Sequence, residues 1–389
     1  MSSKTDIRVH VWVPEMFSTV GGIQTFSRNV LEALSEQVSV DSIRVVVKND
    51  SWAMVLSHNG FRHVNGCGQW PNALRSARFA SECLRLAWRE RPRLILSTHL
   101  NFGPLADIIN KFLGLPYVLV AHGVEAWDVR QSHLENSLKH AAKILAISNY
   151  TRDRLLQVRG LHKDRVVLLP NTFDSHGFDI APKPEYLLRR YGLRRSQRVI
   201  LTVSRLAASE RKKGYEEVLR SLPMIRREIP DIHYIIVGQG DDRPRIEALI
   251  TELELGGYST LAGYVPDCEL SDHYNLCDVF AMPSRQEGFG IVYLEALACG
   301  KPVLAGNKDG SVDALCNGEL GALVDPENVE EIAQTLLQLL EGTYSNPVVY
   351  SPQLLRQKVI DIYGFQQFKG ILSGHLKGLL SLRVPPDTH

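Results

Sequence analysis

The sequence predicts an α/β protein with two doubly wound parallel sheets, because the same rhythm of strands and helices occurs twice. In the first half, apolar runs at residues 7–13, 43–47, 94–97, 117–121, 143–147 and 166–169 alternate with helical stretches at 24–35, 72–89 and 135–140. The alternation begins again with apolar runs at 199–203, 232–237, 259–261, 279–282 and 302–305. Such alternation is typical of parallel β-α-β units, whose ligands bind at the carboxyl ends of the strands. Two sheets facing each other would enclose a central cleft.

Length, charge and cysteine content limit the classes of protein that this sequence can encode. A chain of 389 residues is long enough for two domains with full cores, which we expect at residues 1–180 and 181–365. The 44 basic and 43 acidic residues nearly cancel, which excludes binding to bulk nucleic acid through overall charge. The six cysteines form no C-x-x-C pair, so we expect reduced core thiols rather than a disulfide framework or a zinc site.

The beginning of the chain and its hydropathy pattern predict a location in the cell. The N-terminal segment has a polar lead and only a short apolar run, which is typical of a first strand rather than of a signal peptide. No stretch reaches the roughly 18 uninterrupted apolar residues that a membrane span needs. We therefore expect a cytoplasmic protein.

Two carboxylates mark the segment that is richest in chemical information, residues 287–295 (EGFGIVYLE). The preceding apolar run predicts a strand, and the following residues predict a helix that Gly300 and Pro302 end. Glu287 then lies in the turn and Glu295 about two helical turns later, offset by about 80° around the axis. Free backbone N–H groups at the helix start favour an anion such as phosphate, and we expect them at Phe289, Gly290, Ile291 and Val292. The alternative is a helix with two solvated acids.

Three other loops follow predicted strands and carry residues suited to binding. Gly21 and Gly22 allow close approach of a ligand to the backbone, or form an ordinary tight turn. His122 follows an apolar strand and precedes a glycine, which predicts a position at the ligand-binding edge of the sheet. The loop after residues 199–203 is basic and suits a diphosphate, although a solvated basic loop is the alternative. Its candidate phosphate ligands are Arg205, Lys212 and Lys213.

These motifs resemble the retaining glycosyltransferases of family 4, which have the two-domain GT-B architecture. The resemblance rests on EGFG-x4-E followed by ACGKPV, and on the Ser-Arg and Lys-Gly pairs of the basic loop. It implies that Glu287 binds the transferred sugar, that Glu295 binds the ribose hydroxyls, and that His122 holds the reacting end. It assigns the phosphates to Arg205 and Lys213, the nucleotide to the turn at Gly240, and the base to the segment around Val265. It also implies that a final segment, residues 366–389, returns to the first domain. The sequence itself predicts a helical stretch at residues 352–380 and a disordered tail at residues 383–389.

The resemblance implies transfer of a hexose from a nucleoside diphosphate sugar to a hydroxyl of a glycan or lipid-linked glycan, in polysaccharide or glycolipid synthesis. We expect mannose from GDP-mannose, with glucose from UDP-glucose as the second choice. The chain contains no D-x-D motif, so no essential divalent metal and no cofactor are expected. Two alternatives remain: a nucleotide-sugar 2-epimerase of the same architecture, and a non-catalytic carbohydrate-binding protein.

A stripe of arginines on the helix predicted at residues 72–89 suggests a second partner. At about 100° per residue, its four arginines fall within an arc of about 80°, interrupted by Glu82. A basic stripe can contact anionic lipid, which would place the protein on the inner face of the plasma membrane, whereas the alternative is a solvated face. The stripe consists of Arg75, Arg78, Arg85 and Arg89.

Overall fold

The protein is described by a computed structural model that covers residues 7–17, 21–51, 63–129 and 131–381. Its contacts divide the chain into two compact units. The first comprises the described residues up to Asn171 and those from Gln366 onward, and the second spans Thr172–Phe365.

The first unit is built on a parallel sheet. Its strands are β1 (Val9–Val13), β2 (Ile43–Val47), β3 (Val64–Gly66), β4 (Leu94–Ser97), β5 (Tyr117–Ala121), β6 (Lys143–Ala146) and β7 (Val166–Leu168). They lie in the order β3-β2-β1-β4-β5-β6-β7. The connecting helices are α1 (Gly22–Ser35), α2 (Asn72–Glu90), α3 (Gly103–Leu113), α4 (Val124–Trp127), α5 (Ser132–His140) and α6 (Asn149–Leu155). Strands β1 and β5 are buried along their whole length, as expected of a sheet covered on both faces.

The second unit repeats this plan. Its strands are β8 (Val199–Val203), β9 (His233–Val237), β10 (Ser259–Gly263), β11 (Val279–Met282), β12 (Val303–Gly306) and β13 (Ala322–Val324). They form a parallel sheet in the order β10-β9-β8-β11-β12-β13. The helices are α7 (Glu185–Tyr191), α8 (Tyr215–Glu228), α9 (Arg243–Glu252), α10 (Asp267–Leu276), α11 (Ile291–Ala298), α12 (Ser311–Ala314), α13 (Val329–Glu341) and α14 (Pro352–Tyr363).

The strand orders determine where each sheet can bind a ligand. In both units the second and third strands lie on one side of the first strand, and all later strands lie on its other side. The switch points therefore lie between β1 and β4 in the first sheet and between β8 and β11 in the second. Loops diverge at the carboxyl ends of such a strand pair and leave a crevice, which is where ligands bind in doubly wound sheets.

The prediction of two doubly wound parallel sheets is confirmed. Strands β3 and β13, which are short and lie at one edge of each sheet, were not predicted. The helical stretch predicted at residues 352–380 is two helices, because the chain breaks at Gly364 into α14 and α15 (Phe365–Leu380). A Cβ on Gly364 would lie 2.4 Å from the Ile360 carbonyl oxygen, which explains the glycine at the break.

The contacts place the division of the chain after Asn171, earlier than the predicted 180/181 boundary. The intervening residues are bound to the second unit. The Arg356 guanidinium donates to the carbonyl of Ser175 at 3.0 Å, and the Asn275 side chain donates to the carbonyl of Asp179 at 2.8 Å.

Helix α15 belongs to the first unit from Gln366 onward. Arg93 donates to the Leu379 carbonyl at 3.1 Å, and the Phe368 ring packs edge-on against Phe26 at 5.6 Å. The helix is thus attached through a backbone carbonyl near its C-terminal end and through its apolar face. The tail predicted at residues 383–389 lies outside the described residues.

Candidate functional site

The loops that follow β8 and β11 bring three predicted residues of the second unit together. Lys213 Nζ lies 2.7 Å from a Glu287 carboxylate oxygen, and both side chains are mostly buried. Arg205 is in the same cluster, since its guanidinium and Lys213 both lie near Glu210, at 2.5 and 4.0 Å. Because β8 and β11 are the strands of the switch point, this cluster lies where a ligand is expected.

The electrostatics of the cluster keep Lys213 charged. Burial alone would lower the pKa of this ammonium, but the carboxylates of Glu287 and Glu210 outweigh burial and the net pKa is raised. A charged lysine beside an exposed arginine can bind a diphosphate.

The basic loop is held in place by a buried carboxylate. Residues Ala208–Lys213 form a 3-10 turn, whose Arg211 side chain pairs with Asp242 at 2.8 Å. Asp242 is 1% exposed and also accepts from Tyr215 at 2.9 Å. These contacts fix the path of the turn, and thereby the positions of the cations on it.

The Glu287 turn is supported from behind by Asp309 and Gly310. The Asp309 carboxylate accepts the Glu287 backbone N–H at 2.6 Å, and the Gly310 N–H donates to the Glu287 carbonyl at 2.9 Å. Burial raises the pKa of Asp309 to about 6, although hydrogen bonds from Ser311 and Glu287 oppose the rise. The turn ends at Gly290, whose φ of 93° and tight contact with the Tyr293 ring exclude a side chain.

The predicted set of backbone donors is rearranged in the structure. The Gly288 N–H donates to the carboxylate of Glu287 itself at 3.1 Å, and the Phe289 N–H makes a longer contact to it at 3.5 Å. The Phe289 ring is buried and packs against Tyr363. Helix α11 begins at Ile291, so Ile291 and Val292 are the half-buried residues of its first turn. Ile291 and Val292 thus occupy the helix start that the sequence assigns to an anion, and their role there stays a prediction.

Glu295 lies in a separate, more enclosed environment. Tyr274 on α10 donates to its carboxylate at 2.7 Å. Burial raises the pKa of Glu295 to about 7, and the hydrogen bond from Tyr274 opposes that rise only in part. At neutral pH this carboxyl group therefore titrates, and it can either donate or accept a hydrogen bond.

The remaining predicted donor-site residues have structural explanations of their own. A Cβ on Gly240 would lie 2.1 Å from the Leu206 carbonyl oxygen, so this glycine lets its turn pack against the basic loop. Lys212 has an exposed side chain, and its carbonyl accepts the Arg285 N–H at 3.0 Å. Val265 is buried.

In the first unit, His122 follows β5 and is fixed by three contacts. Its Nε2 lies 2.7 Å from the Thr98 carbonyl, its backbone N–H donates to Glu125 at 2.6 Å, and Phe26 packs edge-on against its ring at 4.9 Å. Burial lowers its pKa to about 4, so the imidazole is neutral at physiological pH. The Thr98 carbonyl can only accept, so Nε2 carries the proton and Nδ1 is an acceptor.

Further residues of the first unit lie after neighbouring strands. His99, which is not among the predicted site residues, follows β4, and its ring centre is 6.2 Å from that of His122. The predicted Gly21 and Gly22 follow β1 at the start of α1, where Gly21 is the extended N-cap residue and Gly22 begins the helix. The structure thus places all of these residues at the carboxyl edge of strands β1, β4 and β5, which include the switch point. Residues 18–20 of the predicted loop lie outside the described residues.

The arginine stripe on α2 carries less free charge than the sequence suggests. Arg78 and Arg85 both pair with Glu82, at 3.2 and 2.5 Å. Arg75 donates to the carbonyls of Gly68 and Trp70. Arg85 and Arg89 line a polar cavity of about 410 Å³ near the amino ends of β1 and β2, away from the predicted site.

Sequence reasoning missed five residues that contact the predicted site residues. Glu210 was hidden in a basic run, and Asp309 in a glycine-rich loop. The other three interact only through the fold: Tyr274 with Glu295, and Thr98 and Glu125 with His122. All five lie either just after the end of a strand or in a neighbouring helix, and this position is the signal that could have found them.

Within the described residues, no group of three or more His, Cys, Asp or Glu side chains is placed to hold a metal ion. Likewise, none of the helices in the described ranges is long and apolar enough to cross a membrane.

Comparison with solved structures shows the GT-B fold. The UDP complex of Anabaena Alr3699/HepE superimposes with a TM-score of 0.79 at 18% identity, over 96% of this chain and 100% of that chain. Sucrose-phosphate synthase from Thermosynechococcus elongatus gives a TM-score of 0.76 at 19% identity, over 96% and 99% of the two chains.

Sequence comparison identifies more similar relatives. A GDP-mannose-dependent alpha-(1-6)-phosphatidylinositol monomannoside mannosyltransferase of Mycolicibacterium smegmatis is 34% identical over 237 residues, 57% of this chain and 60% of that protein. A 2-deoxystreptamine glucosyltransferase of Streptomyces kanamyceticus is 26% identical over 322 residues, 77% and 81% of the two chains. The chain spans about half to three fifths of the length of the curated mannosyltransferases that it matches.

Two family models match in succession. The model for Glycosyltransferase Family 4 matches residues 20–176, and the model for Glycosyl transferases group 1 matches residues 187–350. Each model falls on one sheet unit, and the second contains the clustered Arg205, Lys213 and Glu287. The chain therefore belongs to the family 4 glycosyltransferases of GT-B architecture.

Proposed function

We propose that this protein transfers a hexose from a nucleoside diphosphate sugar to a hydroxyl group of a glycan or lipid-linked glycan, with retention of the anomeric configuration. The observation that carries the proposal is the cluster of Arg205, Lys213 and Glu287 at the switch point of the second sheet. Two cations suit a diphosphate leaving group, and a carboxylate beside them suits the hydroxyls of the transferred sugar.

Each residue receives a role consistent with its surroundings. Arg205 and Lys213 stabilise the negative charge that develops on the leaving phosphate, and Glu287 orients the sugar. Glu295 binds the ribose hydroxyls from its enclosed position beside Tyr274. His122 is neutral, and its Nδ1 accepts a hydrogen bond from a hydroxyl of the transferred sugar. No group of the second-unit cluster is a free nucleophile, because Glu287 is paired with Lys213, so we propose that the leaving phosphate deprotonates the acceptor.

The donor that we favour is GDP-mannose. Four of the relatives are named as GDP-mannose-dependent mannosyltransferases, at 31–34% identity. UDP-glucose is the second choice, because one relative is named as a 2-deoxystreptamine glucosyltransferase. We also propose that no divalent metal is essential, since the cations of the cluster can neutralise a diphosphate. Unchanged activity in excess EDTA would support this point.

The proposed membrane contact rests on different side chains from those that the sequence suggested. On α2, Trp88 and Leu84 are 68% and 41% exposed, whereas Arg78 and Arg85 are paired with Glu82. Exposed tryptophan suits the interface between lipid headgroups and acyl chains. We propose that this face of α2 contacts a membrane that carries the acceptor.

A binding panel tests the proposed function. UDP, GDP, UDP-glucose and GDP-mannose are titrated by calorimetry and thermal shift into the native protein and into Arg205→Ala, Glu287→Ala and Arg195→Ala. Arg195 is an exposed arginine of the same unit that pairs with Glu185, so its variant controls for loss of charge. Selective binding of one nucleotide, weakened about tenfold (about 1.4 kcal/mol) in Arg205→Ala only, would support the donor site.

The same panel can refute the proposal. If no nucleotide binds the native protein, with or without Mg²⁺, the transferase assignment fails. Consumption of the sugar nucleotide in the absence of any acceptor, with appearance of an epimer, would replace it by the epimerase alternative.

A further inference from the structure

We infer that Glu210 is an internal substitute for the donor diphosphate and sets the affinity of the empty site for nucleoside diphosphates. The inference rests on the function proposed above. It starts from the observation that both predicted phosphate ligands, Arg205 and Lys213, already face a carboxylate in the structure.

The two oxygens of Glu210 are shared between the two cations. Oε1 lies 2.5 Å from the Arg205 guanidinium, and Oε2 lies 4.0 Å from Lys213 Nζ. A carboxylate in this position contacts Arg205 directly and lies within ion-pair distance of Lys213, so its charge faces both cations, as that of a phosphate would. Glu287 pairs with Lys213 from another loop, so the cluster holds two positive and two negative groups.

The fold of the loop is secured without Glu210. The Ala208 N–H donates to Asp241 at 2.7 Å, and Arg211 pairs with the buried Asp242. The pair of Glu210 with Arg205 adds little stability, because Arg205 is 72% exposed and ion pairs of exposed groups are weak. A structural role therefore does not explain the position of Glu210, whereas neutralising the empty cation site does.

Binding of a diphosphate requires Glu210 to leave the two cations. A diphosphate is more highly charged than a carboxylate and binds Arg205 and Lys213 more strongly, but the exchange reduces the net affinity for donor and product alike. Glu210 returns to the cations when the nucleoside diphosphate dissociates, which favours release of the product. Glu210 thus lowers the affinity for the nucleoside diphosphate and in return speeds its release.

The test measures the affinity of UDP and GDP by calorimetry for the native protein, Glu210→Gln, Glu210→Asp and the control Glu185→Gln. Glu185 also pairs with an exposed arginine of the second unit, Arg195, away from the cluster. We expect Glu210→Gln to bind the preferred nucleoside diphosphate 3- to 10-fold more tightly, Glu210→Asp to lie between it and the native protein, and Glu185→Gln to be unchanged. The gain should disappear in an Arg205→Ala background.

The possible results distinguish failure of the proposed function from failure of the inference about Glu210. If the native protein binds no nucleoside diphosphate, the proposed function fails first. If the native protein binds one and both Glu210 variants bind it equally or more weakly, the inference about Glu210 is overturned while the donor site stands. Should Glu210→Gln not fold, Glu210→Asp, which keeps the charge but shortens the reach, decides the question.

Discussion

Replacing Glu295 by glutamine should stabilise the protein at alkaline pH while weakening nucleotide binding. Burial raises the pKa of this carboxyl from its ordinary value of 4.5 to about 7 in the folded state. The folded protein therefore holds the proton more tightly than the unfolded chain, so folding stability is lost as the pH rises from 4.5 through about 7. Glutamine has no charge to desolvate and keeps an oxygen that can accept from Tyr274.

The size of the effect follows from the two pKa values. At about 1.4 kcal/mol per pKa unit, the difference between 4.5 and about 7 corresponds to an upper bound of about 3 kcal/mol at pH 8. Relaxation of the site and the loss of a charge-assisted hydrogen bond reduce this figure, so we expect about 1–2 kcal/mol. For domains of this size, that corresponds to a melting temperature higher by about 2–8 °C.

The assay is thermal unfolding of the native protein and Glu295→Gln at pH 4.5 and pH 8. Glu287→Gln is the matched comparison, because it removes a carboxylate from the same segment but leaves Lys213 without its nearest partner. Glu295→Gln should raise the melting temperature at pH 8 and leave it nearly unchanged at pH 4.5, whereas Glu287→Gln should lower it at pH 8. An equal gain at both pH values, or none at pH 8, would refute the reasoning about Glu295.

Three further predictions concern other parts of the molecule. His122→Ala should lower the transfer rate about 100-fold and change nucleoside diphosphate affinity less than twofold, which steady-state kinetics and calorimetry can separate; an equal loss in both would contradict its assignment to the sugar. Gly290→Ala should destabilise the protein by about 1–3 kcal/mol in denaturant unfolding, since its φ is 93° and its Cβ would lie 2.3 Å from the Tyr293 ring. Trp88→Ala should reduce co-sedimentation with anionic vesicles at least threefold, and the control Trp70→Ala, which changes a partly exposed tryptophan, should reduce it less. If both variants co-sediment with the vesicles equally well, the proposed contact between α2 and the membrane is wrong.

The sequence predicted the elements whose signals are local. The apolar runs of β2, β4, β5, β8 and β11 were long and buried enough to be located to the residue. The edge strands β3 and β13 were missed, because three residues carry too little periodicity to be distinguished from a loop; the equally short β7 was found because Leu169 extends its apolar run to four residues. The break at Gly364 was missed for a different reason: a hydropathy pattern does not record that a Cβ at this position would lie 2.4 Å from the Ile360 carbonyl oxygen.

In the candidate site, too, some features could be predicted from the sequence and others could not. Arg205, Lys213, Glu287 and His122 could be named from the sequence because each follows a strand, and strand ends meet at one edge of a parallel sheet. The environment of Glu295 could not be predicted, because Tyr274 reaches it from another helix, 21 residues earlier in the chain. The burial of Asp309 behind the Glu287 turn is likewise a product of packing between loops.

The sequence by itself determined the fold class and the two-unit organisation, and it predicted residues for binding a diphosphate and a sugar, since these depend on periodicity and on residue type. Only the tertiary structure decided which charges neutralise one another. It paired Lys213 with Glu287, set Glu210 between the two cations, and enclosed Glu295 until its pKa rose to about 7. Charge and pKa depend on distance and burial, and both arise only when segments far apart in the chain are packed together.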